Sequence, residues 1–114
     1  MIRHIVMFNL RPDVEPSDRE WLFDQIRALS KIPSAQRVAV NRLLDAREEW
    51  YKARISTDFE YALTMEFENE DGLYAYQNDP YHLSVAQEIR KRTSAVKVVD
   101  FMTVERGEVH AAAH

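Results

Sequence analysis

"YALTMEFENEDGLYAYQNDPYHLSVAQEIRKR", residues 61–92, contains the change of period on which the fold depends. Its first seven residues alternate: Tyr61, Leu63, Met65 and Phe67 fall on one side, Ala62, Thr64 and Glu66 on the other. A period of two with large apolar side chains predicts a half-buried strand. "ENEDG" then offers a capped start for a short helix through Leu73 to Gln77. Beyond it Val85, Ala86 and Ile89 recur at helical intervals, which predicts a helix from Pro80 to about Thr93 with these residues as its buried stripe. Asp79-Pro80 starts that helix, because Asp accepts from free backbone N–H groups and Pro suits the first turn. His82 therefore stands in the first turn, six residues after Tyr76.

Working outward, Ile2 to Leu10 also alternates, with His4, Val6, Phe8 and Leu10 on one face and Arg3, Ile5, Met7 and Asn9 on the other. Apolar residues on both faces predict a strand covered on both sides. Pro12 and Pro16 punctuate the next loop, and Ser17 with Glu20 has capping-box spacing. Leu22, Ile26 and Leu29 then predict a helix that stops before Pro33. Gln36 to Leu44 reads as a second strand with Val38 and Val40 on one face. Its polar extension "DAREEWYKARISTD", residues 45–58, reads as a helical turn or an excursion. Val96 to Val104 is the fourth strand.

The order is β-α-β-β-α-β, an α+β arrangement of the ferredoxin-like kind, with four antiparallel strands and helices on one face. The opposite face would carry Ile5, Met7, Val99 and Phe101, too apolar to stay open in a monomer. Two sheets packed face to face would cover it, so the expected partner is a second copy of the chain. Residues 1–105 form the one domain, and 106–114 read as a disordered tail.

Composition narrows the function. No apolar run approaches the roughly 20 residues needed to cross a bilayer, and "MIRHIVMFNLRPD" is too short and strand-like for a signal peptide. The expectation is a cytoplasmic protein with no membrane partner. With no cysteine in the 114 residues there is no disulfide framework and no thiolate nucleophile or ligand. A net charge of −4 speaks against a nucleic-acid partner, since phosphate affinity rests on Lys and Arg. The basic run Arg90–Arg92 falls where cations complement the carboxyl end of a helix.

The chemistry-bearing candidates are His4, Tyr76 and His82. A histidine at a helix start meets a positive dipole end, which favours the neutral imidazole, and a neutral imidazole can take a proton. Tyr76 could donate to a carbonyl oxygen as it gains charge. His4 lies on the face that helices should cover, so it could meet both in a cleft whose apolar walls are Val6, Phe8, Phe23, Ile26 and Val85. Such a cleft suits a small apolar ligand. The plainer readings are a core histidine bonded to a backbone carbonyl, a helix-entry histidine and a core tyrosine. No metal is expected: His4 and His82 with Asp79 or Asp100 lack tight helical spacing, and His110 with His114 falls in the Ala-rich tail. With glycine at only two positions, Gly72 and Gly107, no phosphate-cradling loop is available, so no cofactor is expected.

"MIRHIVMFNLRPDV", "LSKIPSAQRVAV", "FEYALTMEFENEDGLYAYQNDPYH" and "VVDFMTV" together resemble the stress-responsive α/β-barrel domain family, Dabb, over nearly the whole chain. The resemblance implies ferredoxin-like protomers whose sheets pair into a dimeric α/β barrel. It also implies the site trio of the family's plant polyketide cyclase, which works without a cofactor: a strand-one His, a Tyr and a helical His, matching His4, Tyr76 and His82. The chain departs from the pattern after its second strand, where the family's usual Gly gives way to "AVNRLLDAREEWYKAR", and within "QNDPY". Two function classes follow. One is a cofactor-independent acid–base enzyme, polyketide cyclase-like, acting on a small carbonyl or aromatic compound. The alternative is a non-catalytic stress-responsive or small-molecule-binding dimer. The cofactor-free monooxygenases of the same barrel fold are a third class, with no residue selecting them.

Overall fold

The computed structural model describes residues 1–108. In chain order the elements are β1 (Ile2–Leu10), α1 (Pro16–Arg27), β2 (Gln36–Arg42), α2 (Glu49–Lys52), β3 (Tyr61–Phe67), α3 (Glu70–Asn78), α4 (Pro80–Arg92) and β4 (Thr93–Met102). One antiparallel sheet has the strand order β2-β3-β1-β4. This is the ferredoxin-like α+β architecture that the periodicity predicted. The part of the expected tail beyond residue 108, with His110 and His114, lies outside the described residues.

Side-chain alternation divides the sheet into two unequal faces. On the helix side Ile2, Val6, Phe8, Leu63, Met65 and Phe67 join Leu22, Phe23, Ile26, Val85 and Ile89 in one core cluster. Apolar burial of this kind contributes about 25 cal/mol per Å², so the core is what holds the helices down. Among the described residues the opposite face has no layer over it: Ile5, Met7 and Val99 are half-buried by their neighbours and Phe101 is exposed.

Local signals set most boundaries. Asp79 ends α3 and caps α4, its Oδ1 accepting the Tyr81 N–H at 2.8 Å. Replacing such a cap by alanine costs about 1 kcal/mol. Asn69 caps α3 in the same way, accepting from the Gly72 N–H at 3.0 Å. The capping box at Ser17 and Glu20 does not form. Pro16, with its preset φ, already occupies the first helical position, so the helix starts before Ser17 and Glu15 makes no side-chain cap. Leu29 is buried as expected but sits in a 3₁₀ turn, Ala28–Lys31, that follows α1.

Two strand edges also move. β4 begins directly after α4, three residues before Val96, because Thr93 and Ala95 find partners on β1 opposite Leu10 and Asn9. β2 carries a bulge between Gln36 and Ala39, with Arg37 in the left-handed region at φ 52°. The polar extension folds as the single turn α2, with Ala46 buried beneath the connection and Trp50 exposed. At the other end of the molecule Arg92 ties α4 to α1 through Asp18 at 2.9 and 3.0 Å, its guanidinium 4.8 Å from the Trp21 ring centre. None of the described helices is long and apolar enough to cross a membrane.

Candidate functional site

β1 delivers His4 to the helix side of the sheet, where it is 3% exposed. Its Nδ1 lies 2.6 Å from Asp100 Oδ1, and the two residues are direct cross-strand partners in the β1–β4 ladder. With Asp100 ionised, Nδ1–H is the donor, which leaves Nε2 as the nitrogen available to the cavity. The plainer expectation of a backbone-bonded core histidine is thus not what the structure has.

α3 delivers Tyr76 and the first turn of α4 delivers His82. Their rings are 4.3 Å apart between centres, and the His4 ring is 5.9 Å from Tyr76. Phe67 backs the group at 5.1 Å from Tyr76 and 6.0 Å from His4. The loop-free junction at Asp79 explains the closeness. Two helices meeting at one capping residue bring the last turn of α3 beside the first turn of α4.

The hydrogen bonds fix the tautomer of His82. Its Nδ1–H donates to the Gln77 carbonyl oxygen at 3.2 Å, so Nε2 carries the free lone pair. Burial pushes the His82 pKa below its ordinary value; the Gln77 hydrogen bond opposes this, and the nearby charges of His4 and Arg90 add to it. Burial therefore favours the neutral imidazole of His82. Burial likewise raises the Tyr76 pKa, so its hydroxyl stays protonated and can donate. Tyr76 is 1% exposed and makes no hydrogen bond among the described residues. Its oxygen is nevertheless not sealed in protein, since among the described residues Ser34 Oγ alone is a fully buried side-chain polar atom without a partner.

His4, Tyr76 and His82 all line one cavity of about 390 Å³, within the range of small-molecule sites. Val6 and Val85 line it. Phe8, Phe23 and Ile26 do not, which corrects the reading from periodicity. Phe8 and Ile26 are wholly buried in the core, and Phe23 lies 5.1 Å from Tyr61 beside a different cleft next to β2. The physical reason is direction. Phe8 is four residues along β1 from His4, about 13 Å, and α1 packs at that far end against β2. The missing walls come from Leu63, Ile89 and the inward face of β4, Val96 and Val98. Asp100 lies on that same face; its alternation with Val99 and Phe101 was the signal that could have paired it with His4. Among the described residues no group of three His, Asp or Glu side chains is placed to hold a metal ion.

Fold and site together define a ferredoxin-like α+β protein with a His–Tyr–His cluster between its sheet and its last two helices. The model of the stress-responsive A/B barrel domain, Dabb, matches residues 2–103, and the chain belongs to that family. No curated protein matches it. Among solved structures it is similar to a dimeric ferredoxin-like protein from Thermobifida fusca, at 24% identity and TM-score 0.72, with 90% of each chain covered. A hydroxynitrile lyase from Passiflora edulis superposes with TM-score 0.79 at 17% identity, covering 91% of this chain and 94% of that one. A Dabb family protein from Mesorhizobium loti gives TM-score 0.73 at 18% identity, covering 91% and 97%. At these identities the likeness is one of fold.

Proposed function

We propose that the protein is a homodimer in which each protomer performs acid–base chemistry, without a cofactor, on a small carbonyl or aromatic compound, in the manner of a polyketide cyclase. One observation carries this reading: His82, a neutral base with its tautomer set by Gln77, stands 4.3 Å ring to ring from the unpartnered Tyr76 hydroxyl group's ring at the apolar cavity. His82 Nε2 takes the proton from a carbon next to a carbonyl, and the C–H electron pair moves into the enolate. The Tyr76 O–H donates to the enolate oxygen as charge develops there. The enolate carbon closes on a second carbonyl of the same molecule, and the imidazolium returns the proton to the new alkoxide. His4, oriented by Asp100, presents its Nε2 to the same substrate. A structural neighbour that is a hydroxynitrile lyase shows that an enzyme can be built on this fold.

The test needs no knowledge of the natural substrate. Aryl alkyl ketones in D₂O exchange their α-hydrogens slowly, and NMR follows the loss. The wild-type protein should accelerate exchange and His82→Ala should not. Ketones that bind without any acceleration would overturn the catalytic reading in favour of a dimer that holds a ligand without turning it over.

The assembly rests on the open sheet face with Ile5, Met7, Val99 and Phe101, and on a structural neighbour that is a dimer. Covering that face would bury on the order of 1,200 Å² or more in total. Sedimentation equilibrium at micromolar concentration should give twice the 13.4 kDa chain mass. A folded monomer there would sink the barrel dimer.

A further inference from the structure

Of the three cations that end α4, two are engaged. Lys91 pairs with Glu88 at 3.4 Å, and Arg92 with Asp18 and Glu88. Arg90 is different: it is exposed, and its guanidinium makes no hydrogen bond or ion pair among the described residues. It also lines the His82 cavity, whose other charged or titratable lining groups are His4, Tyr76 and His82. The carboxylates near those groups are committed, Asp100 to His4 and Asp79 to the α4 cap. His82, Ala86 and Arg90 follow at i, i+4 and i+8, so they form one row along α4, and all three face the cavity. The row spans two turns, about 12 Å. Between its ends the walls are Val85, Ile89, Val96 and Val98. At one end there is a base beside a hydroxyl with no partner. At the other there is a guanidinium with none.

We propose that the cavity takes an anionic amphiphile: a carboxylate held by Arg90 at the mouth, an apolar body between α4 and β4, and the reacting carbonyl beside His82 and Tyr76. This rests on reading the cavity as a ligand site and deepens that reading by naming the class of substrate. Guanidinium and carboxylate match as a fork of two parallel hydrogen bonds, which a neutral head group cannot reproduce. The charge also sets the direction of entry. A chain of net charge −4 offers an anion little general attraction, so its head is drawn to the one unpaired cation lining this cavity and its apolar end goes in.

Calorimetric titration at pH 8 with decanoate and with 1-decanol separates the charge from the apolar body. Wild-type protein should bind decanoate about tenfold more tightly than decanol, the scale of a charge-assisted bond at a solvent-facing mouth. Arg90→Gln should remove that preference while leaving decanol binding unchanged, Arg90→Lys should keep part of it, and 0.5 M salt should weaken decanoate alone. Equal binding of the two probes by the wild type, or a preference that survives in Arg90→Gln, overturns the anion anchor. Either result leaves the acid–base reading intact, because exchange of a neutral ketone does not use Arg90. Failure of both probes to bind overturns the ligand cavity itself.

Discussion

Of the clefts beside the helical layer, the one between α1 and β2 is larger than the one between α4 and β4 and the less informative. The cleft between α1 and β2 has about 760 Å³ and is lined by Arg19, Glu20, Arg27, Arg42 and Asp45 with Phe23 and Tyr61 at its base. Its charges are mixed and in part already paired, Arg19 with Glu20 at 3.6 Å and Arg27 with Asp24 at 2.8 Å. Exposed pairs of this kind are worth little, and no histidine lines this cleft. The cavity between α4 and β4 is about half that size, yet it holds a histidine with a fixed tautomer, a second histidine on a carboxylate and a hydroxyl with no partner. Volume alone does not mark the candidate site; two histidines held by specific partners do.

The contrast can be broken by experiment. The largest expected effect is on the cavity side: His82→Ala should cost roughly 10²- to 10⁴-fold in the ketone exchange rate, the usual contribution of a general base. Tyr76→Phe should cost less, since it removes a donor and keeps the ring. On the other side, Phe23→Ala should cost about 3 kcal/mol in stability through lost core packing. Its exchange rate per folded molecule should match the wild type. A rate loss in Phe23→Ala as large as that of His82→Ala would mean that the two clefts are not functionally separate.

A smaller effect sharpens the role of His82. Its pKa is lowered by burial, so the free base predominates above the ordinary histidine value of about 6.5. The exchange rate should therefore be flat from pH 7 to 8 and fall about tenfold per unit once the pH drops below the lowered value. The linkage has the matching sign. Between the two pKa values the unfolded chain binds more protons than the folded one, so the contribution of His82 to stability is full at neutral pH and declines as the pH falls through 6.5 and below. A rate that instead rises toward pH 5 would assign the working group to a protonated acid.

How far these features could be read from the chain depends on whether their cause is local. β1 and β3 declare themselves because alternate residues are apolar, and α4 because Asp79 and Pro80 act on their own neighbouring backbone. The trio His4, Tyr76 and His82 was legible for the same reason: one residue's place in a strand and two residues' places beside a helix junction. The walls were not. Phe8, Phe23 and Ile26 share the right face, yet they belong to the end of the sheet where α1 packs, and no spacing in the sequence reports that position.

What the sequence alone determined is the set of elements, their order and the face each side chain takes, because period and capping act within a few residues. Only the tertiary structure decided which ends of those faces meet. The β1–β4 register sets Asp100 against His4 across 96 residues of chain, and the packing of α4 over β1 and β4 turns Val96, Val98 and Arg90 into cavity walls. Those contacts arise from pairing of segments far apart in the chain, and a pattern with a period of two or 3.6 carries no information about such pairing.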